Sequence, residues 1–392
     1  MEVILSVLQV LTHLFYFAIV LFGLEACLYW LLYRQQNSLY WPITAAMGLA
    51  GGLLYAGFFA GGATLAAGNI VIGVAVGVVS SSLFGLFCRR YMQDKHYRLA
   101  LMFLAPAILI VSILIIYPFF FELSLAFSNL NLYTVGGWMA GKDLKFVGLD
   151  NFANVFTTSP LQTVTFWELF IRTIIWTVVN IVLHVGFGLM LALLLNKRIP
   201  GKGIYRTLLI LPWAMPQVVA VLSWRGEFHP QFGSINAILN VFGMDAINWW
   251  SDPTPVFLSC IIVNVWLGIP FMMIVFLGGL QSIPADLYEA AKMDGASKWQ
   301  EFRFITVPML KPVVVPSVVL GTIWTFNNIN VIYLMTGQSG GNEFADILIS
   351  ALYKSAFTYS RYSFAAAFAV VIFLILLSFV VFWMKITKGA DD

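Results

Sequence analysis

Long apolar stretches constrain this chain more than any other feature of its sequence. A helix needs roughly 20 apolar residues to cross a hydrocarbon layer about 30 Å thick. About nine windows meet this requirement, at residues 4–33, 41–61, 65–88, 99–127, 171–195, 205–225, 254–280, 310–336 and 362–385. Strands of a membrane barrel alternate over only about ten residues, so they do not fit these windows. The sequence therefore predicts an all-α integral membrane protein with about nine transmembrane helices.

The distribution of positive charge predicts how these helices are oriented, because cytoplasmic segments carry an excess of Lys and Arg. With the N-terminus outside, 15 of the 21 Lys and Arg residues lie in inner segments and six lie in outer segments. We therefore expect a multi-pass protein of the cell (inner) membrane, with the N-terminus outside and the C-terminus in the cytoplasm. The net charge of +3 reflects this topology and indicates no nucleic-acid surface.

Signatures of catalysis and of nucleotide binding are missing from the sequence. It contains no G-x-x-x-x-G-K-[ST] loop to hold phosphates and no H-E-x-x-H motif. Its three cysteines lie within predicted spans and suggest neither a disulfide framework nor a metal site. We therefore expect no catalytic residues, no metal and no cofactor. Energy for any transport must come from an ion gradient or from another subunit.

Residues 282–308 form a polar loop on the predicted cytoplasmic side, "SIPADLYEAAKMDGASKWQEFRFITVP". Pro284 suits the first turn of a helix, and Gly295 after Asp294 favours its end. Ser297 with Gln300 matches a capping box that begins a second helix, which Pro308 is expected to end. Three small residues flank the turn, Ala290, Ala291 and Ala296. An ordinary amphipathic loop does not need small residues there, whereas a loop that contacts another protein does, because short side chains permit a close approach.

The stretch "EAAKMDGASKWQEFRFITVPMLKP" resembles, nearly position for position, the EAA motif of permease subunits of ATP-binding-cassette importers. In that family the motif is a coupling helix that docks into a cleft on a cytoplasmic ATPase subunit. The resemblance implies that six residues couple this chain to an ATPase: Glu289, Ala290, Ala291, Asp294, Gly295 and Ala296.

The resemblance continues from about residue 99 to the C-terminus and is specific to the MalF-like carbohydrate-uptake permeases. The stretches "FVGLDNFANVF", "IVNVWLGIPFMMIVFLGGLQSIPADLYEAAKMDGA" and "FNNIN" carry it. It implies a type I importer core of six helices at 99–388, and extra N-terminal helices before that core are typical of MalF-like chains. The apolar windows place about three such helices at 1–95. Residues 128–170 then form a short extracytoplasmic segment, either a small cap or an amphipathic segment at the interface, and 282–308 are the coupling loop.

The same resemblance implies a function and a set of partners. The chain would form the path for maltose, maltodextrin or a related oligosaccharide such as trehalose, and would work by alternating access in the lipid bilayer. Its partners would be a second homologous permease, two ATPase subunits that hydrolyse the ATP, and an extracytoplasmic sugar-binding protein. A self-sufficient ion-coupled carrier remains the alternative, although few ionisable groups lie within the spans.

Two helix faces are candidates for sugar binding, because each combines hydrogen-bonding groups with an aromatic ring. They follow i, i+3, i+4, i+7 spacing and comprise Asn264, Leu267, Gly268 and Phe271, and Gly321, Trp324, Thr325 and Asn328. An Asn in a span often bonds only a neighbouring helix, and a Trp often only packs. The resemblance favours the sugar site, although Phe271 replaces a tyrosine and Thr325 replaces an asparagine of the maltose permease.

Overall fold

The computed structural model describes residues 107, 111–139, 144–197, 199–337 and 343–388. The predicted spans at 4–33, 41–61 and 65–88, and with them the expected N-terminal block 1–95, lie outside the described residues. The helix count of about nine and the division of the chain at residues 95 and 99 therefore stay predictions.

The described part of the chain is mostly helical. A π-helical turn at Ser112–Ile116 comes first. The α-helices that follow are α1 Tyr117–Ala126, α2 Leu132–Met139, α3 Asp150–Thr157, α4 Phe166–Asn196, α5 Lys202–Ala214, α6 Gln217–Glu227, α7 Ser234–Val241, α8 Pro253–Ser282, α9 Ala285–Met293, α10 Lys298–Gln300, α11 Val307–Phe326, α12 Ile329–Thr336, α13 Leu348–Tyr353 and α14 Tyr362–Lys388.

Four helical runs are long and apolar enough to cross a membrane, which supports the all-α membrane class. They are Phe166–Asn196, Pro253–Ser282, Lys298–Thr336 and Tyr362–Lys385, close to four of the predicted windows. The window 205–225 behaves differently, because α5 and α6 meet at an angle of 94°. Met215 is extended and Pro216 caps α6 there, so the expected single span is a broken pair of helices.

Contacts divide the chain into two compact units, Met1–Phe152 with Arg361–Ala367, and Ala153–Ser360 with Phe368–Asp392. In the first unit, the segment after α1 is tied to the start of α14. The Ser128 and Ser363 hydroxyls lie 2.7 Å apart, and the Leu130 N–H donates to Ser363 Oγ over 2.7 Å. The Asn151 side chain donates to the carbonyls of Ala126 and Ser128, which closes this segment on itself.

In the second unit, α4 and α8 lie against each other along their length. Glycine permits this close approach: a Cβ added to Gly188 would lie 2.6 Å from Cβ of Met272. Small residues let membrane helices pack closely in the same way. The α4–α8 pair is therefore closely packed, and the elements that line the cavity described below pack on it.

A buried ion pair holds the segment between α12 and α14. Lys354 Nζ lies 2.7 Å from Asp346 Oδ2, and both side chains are at most 2% exposed. Burial raises the pKa of the Asp346 carboxyl, while the charge of Lys354 opposes that rise. The Leu348 N–H donates to Thr173 Oγ1 over 2.9 Å, which attaches the segment to α4.

Candidate functional site

A cavity of about 490 Å³ lies within the second unit, a volume usual for a small-molecule site. All eight residues of the two predicted faces line it: Asn264, Leu267, Gly268, Phe271, Gly321, Trp324, Thr325 and Asn328. The first four lie on α8, as the spacing predicts. On the second face α11 ends at Phe326, so Asn328 reaches the cavity from the break before α12 rather than from a continuous helix.

Further residues line the cavity that the spacing argument did not select. They are His184, Pro212, Trp213, Met215, Gln217, Met272, Ile323 and Asn327. Four of them lie at or beside the break between α5 and α6. Prolines 212 and 216 are the sequence signal that could have found this wall, because a kinked span exposes side chains and backbone groups to a cavity.

Five side-chain amides form one hydrogen-bonded series across the cavity, which we call the amide chain. Asn330 Nδ2 donates to Gln217 Oε1 over 2.8 Å, and Gln217 Nε2 donates to Asn328 Oδ1 over 3.4 Å. Asn328 Nδ2 donates to Asn264 Oδ1 over 2.8 Å, and Asn264 Nδ2 donates to Asn180 Oδ1 over 2.8 Å. The amide chain therefore connects four helical elements, from exposed Asn330 to fully buried Asn180.

Aromatic rings form the apolar part of the cavity wall, in contrast to the polar amides. The ring centroids of Phe271 and Trp324 lie 5.3 Å apart, and those of Phe271 and Trp213 lie 6.4 Å apart. Trp324 keeps 53% of its surface exposed, so its ring is open to a bound molecule. Amides beside open aromatic faces can hydrogen-bond hydroxyl groups while an apolar ring face packs against the C–H side of a ligand.

Two of the predicted residues are glycines whose missing side chains leave room for neighbours. A Cβ at Gly268 would lie 2.3 Å from Nε2 of His184, and a Cβ at Gly321 would lie 2.6 Å from Cε of Met272. The imidazole of His184 is buried between α4 and α8, where Nε2 lies 3.0 Å from the Asn264 carbonyl oxygen. His184 is thus an interhelical contact that also lines the cavity.

The loop at 282–308 has the helix–turn–helix form that the sequence predicts. Helix α9 ends at Met293, and Gly295 adopts φ +79°. The N–H groups of Gly295 and Ala296 donate to the carbonyls of Lys292 and Ala291, the paired bonds of a Schellman motif. Ser297 and Gln300 form the expected capping box.

The six residues assigned to ATPase coupling surround this turn. Glu289, Ala290, Asp294 and Gly295 are exposed, and Ala291 and Ala296 are half-buried. Tyr288 faces the other way, and its hydroxyl lies 2.9 Å from Thr306 Oγ1. The turn therefore presents a small-residue surface outward while its base is attached to the following transmembrane run.

The expectation that Pro308 ends the second helix is wrong. A π-helical segment at Glu301–Thr306 joins α10 to α11, and the helix continues beyond Pro308 to Phe326. Proline lacks the N–H of a regular helical turn, and its ring clashes with the carbonyl four residues earlier. The wider π turn immediately before Pro308 accommodates both effects, so the helix passes through the proline.

Comparison with known proteins decides the family. A family model described as the binding-protein-dependent transport system inner membrane component matches residues 184–385. The chain belongs to this family. It is a family of transport permeases, and the matched region contains α8, the coupling loop, and all eight residues of the two predicted faces.

Relatives of this permease transport sugars. It is 37% identical over 296 residues to the galactooligosaccharide permease GanP of Bacillus subtilis, covering 73% of this chain and 69% of GanP. It is 35% identical to the trehalose/maltose permease MalF of Thermococcus litoralis, covering 63% and 81%. The maltose/maltodextrin permease MalF of Klebsiella aerogenes is 38% identical, but this chain spans only 50% of it.

The fold of the permease also matches a solved transporter. A chain of a bacterial ABC transporter that imports the acidic polysaccharide alginate superposes with a TM-score of 0.65 and 22% identity, covering 78% of this chain and 100% of that chain. This similarity shows a common fold.

The cavity of the permease is uncharged. Among the described residues that line it, none is Asp, Glu, Lys or Arg, and His184 is the only titratable side chain. Within the described parts of the chain, no group of three or more His, Cys, Asp and Glu residues is placed to hold a metal ion. The geometry is suited to a neutral, hydroxyl-rich ligand held by amides and aromatic rings.

Proposed function

We propose that the chain is a transmembrane permease subunit of an ATP-driven importer, and that its cavity binds a neutral oligosaccharide during alternating access. The observation that carries the proposal is the wall of the cavity, in which four side-chain amides and three aromatic rings surround a space without charged side chains. A polyanionic sugar would lack a basic partner there, and burying an unpaired charge is costly. Maltose, maltodextrins and trehalose are the proposed substrates.

The relatives support this substrate class and extend it. GanP is named for galactooligosaccharides, and the Thermococcus MalF for trehalose and maltose. Both classes are neutral, with hydroxyl groups around the edges of the sugar rings and C–H groups on the ring faces. We therefore include galactooligosaccharides among the sugars to be compared, with maltose-type sugars as the first choice because the motif stretches resemble those of the MalF-like permeases.

The partners follow from the coupling loop. Its outward surface of small residues around Gly295 would seat in a groove of an ATPase subunit, where a helix face with short side chains permits close approach. The proposed assembly contains this chain, a second homologous permease, two ATPase subunits and an extracytoplasmic sugar-binding protein. In this assembly the loop is cytoplasmic, the N-terminus is outside, and the C-terminus is inside.

The deciding experiment is ATP hydrolysis by the complete complex in proteoliposomes. Maltose, maltotriose, trehalose, galactobiose and an alginate trisaccharide are each presented on the binding protein. We expect neutral sugars to stimulate hydrolysis and uptake, and alginate to do neither. Stimulation by alginate alone would contradict the neutral-substrate proposal.

The alternative is an ion-coupled carrier that needs no ATPase. It predicts uptake by the purified chain alone, driven by an ion gradient and abolished by an uncoupler. We expect no uptake by the chain alone and uncoupler-resistant uptake by the complete complex. Gradient-driven uptake without ATPase subunits would overturn the proposed function.

A further inference from the structure

The amide chain ends at the backbone carbonyl of Trp176, which can only accept a hydrogen bond. Asn180 Nδ2 donates to the backbone carbonyl of Trp176 over 2.8 Å. A carbonyl oxygen only accepts hydrogen bonds, whereas the two ends of a side-chain amide have almost the same shape and can exchange places. The Trp176 carbonyl therefore fixes which end of the Asn180 amide is NH₂ and which is oxygen.

The orientation of the Asn180 amide determines the orientation of every other amide in the series. Because Asn180 turns its NH₂ to Trp176, its oxygen must accept from Asn264, so Asn264 presents its own oxygen to Asn328. Asn328 in turn presents its oxygen to Gln217. Reversing the first amide would place two oxygens, or two NH₂ groups, against each other at the next contact, which leaves buried polar groups unpaired.

Asn180 itself is 0% exposed and does not line the cavity. Its hydrogen bond to Asn264, which is 3% exposed and does line the cavity, connects it to the cavity. Each of the three middle amides, Gln217, Asn328 and Asn264, uses one N–H and one oxygen lone pair within the series, which leaves one further N–H and one further lone pair for a ligand. The direction of the series therefore determines where the cavity offers donors and where it offers acceptors.

We propose that Asn180 is a positioning residue that sets the hydrogen-bond polarity of the sugar cavity, and thereby its discrimination among oligosaccharides. This inference rests on the proposed function, because it names how the same cavity selects its substrate. Asn180 acts through Asn264 and makes no contact with the sugar. Without it, the Asn264 amide loses its fixed partner, and both orientations of that amide become accessible.

The test uses two substitutions of equal shape, Asn180→Thr and Asn180→Val. A threonine hydroxyl in a helix donates to the carbonyl four residues earlier and can accept an N–H, so Thr retains the polarity of Asn180. Valine has the same branched shape and no hydroxyl. The complete complex is assayed with maltose, maltotriose, trehalose and galactobiose, each at a saturating concentration of sugar-loaded binding protein.

The readout is the ratio of stimulated ATPase rates between sugars, compared with the wild-type ratio. Both variants use the same binding protein as the wild type, so the preference of the binding protein cancels. We expect Asn180→Val to reduce the discrimination between preferred and poor sugars by about threefold to tenfold, the effect of one hydrogen bond, and Asn180→Thr to retain most of it.

The outcomes separate this inference from the proposed function. If the wild-type complex responds to the sugars and both variants keep the wild-type ratios, or lose them equally, the positioning role is overturned while the proposed function stands. If the wild-type complex responds to none of the sugars, the proposed function fails and this inference fails with it. Retained ratios in Asn180→Thr with flattened ratios in Asn180→Val support the positioning role.

Discussion

At the scale of single residues, the cavity depends both on side chains that face it and on glycines whose lack of a side chain makes room for neighbouring residues. Spacing along α8 and α11 selected eight lining residues from the sequence, because residues three, four and seven apart share a helix face. The same spacing did not distinguish Asn264, which faces the cavity with its amide, from Gly268, which makes room for His184. That distinction depends on α4, whose register against α8 is not encoded in either helix alone.

Removal of the Asn264 amide should weaken substrate-dependent turnover. Asn264→Ala breaks the amide chain and leaves Asn180 and Asn328 each without one partner, a loss of about 1–3 kcal/mol. We expect sugar-stimulated ATPase activity to fall by about tenfold. Asn240→Ala, which removes an exposed amide outside the cavity, is the control. Unchanged stimulation in the double variant Asn264→Ala/Asn328→Ala would remove both residues from the site.

A methyl group at Gly268 should destabilise the α4–α8 contact. Gly268→Ala would place Cβ 2.3 Å from the His184 ring, and such overpacking typically costs about 1–3 kcal/mol. We expect a lower thermal unfolding midpoint for the detergent-solubilised chain. Gly278→Ala is the matched control, because it lies on the same helix with nothing within 4 Å of the added Cβ.

The cause is checked by a second substitution. His184→Ala combined with Gly268→Ala should recover part of the lost stability, since the two residues are in direct contact and their effects are not additive. Full additivity of the two single effects would show that the destabilisation has another origin.

At the scale of elements, local signals predicted the coupling loop well and the run after it poorly. The turn at Gly295 and the capping box at Ser297 depend on neighbouring residues, so the sequence contains all the required information. Pro308 was misjudged because the π segment before it has no comparable signature. The break at Met215 was not predicted from the sequence. Its flanking prolines, Pro212 and Pro216, are the local signal for it, whereas its angle of 94° depends on packing against α8 and α12.

A side chain at Gly295, in the turn of the coupling loop, should abolish coupling to the ATPase. Gly295→Asp adds a side chain at φ +79°, in the middle of the surface assigned to the ATPase. We expect sugar-stimulated ATPase activity and co-purification of the ATPase subunit to be lost, with membrane insertion retained.

Gly243 offers a matched control for this prediction. It follows α7 with φ +72°, and an added Cβ there would also meet nothing within 4 Å. Gly243→Asp therefore imposes a similar backbone strain away from the coupling loop, and we expect transport to be retained. If Gly295→Asp and Gly243→Asp behave alike, strain rather than ATPase contact explains the effect.

At the scale of the whole molecule, composition and hydropathy predicted the class of protein before any site was considered. Apolar windows of this length have few solutions other than membrane helices, because every backbone polar group must be satisfied within the bilayer. Four of the windows correspond to long helices in the described residues. The number of helices and the roles of the first 95 residues stay predictions, since they rest on hydropathy and on the family resemblance.

Orientation is a property of the whole molecule and can be measured by cysteine accessibility. In a chain with Cys27, Cys88 and Cys260 replaced by Ala, single cysteines are introduced by Ser297→Cys and Asn240→Cys. We expect a membrane-impermeant maleimide to label Asn240→Cys in intact cells and Ser297→Cys only in inverted vesicles. One spanning helix, α8, separates the two positions, so labelling of both from the same side would contradict the topology.

The π segment at Glu301–Thr306 affects the direction in which the coupling loop faces relative to the cavity. A π turn amounts to one residue inserted into an α-helix, and each residue of an α-helix turns the chain by about 100°. The π segment therefore changes the rotation of the coupling loop about the helix axis relative to Gly321 and Thr325. The direction in which the coupling surface faces therefore depends on the number of residues in this segment. A one-residue deletion within Glu301–Thr306 would rotate that surface while keeping all six residues assigned to ATPase coupling.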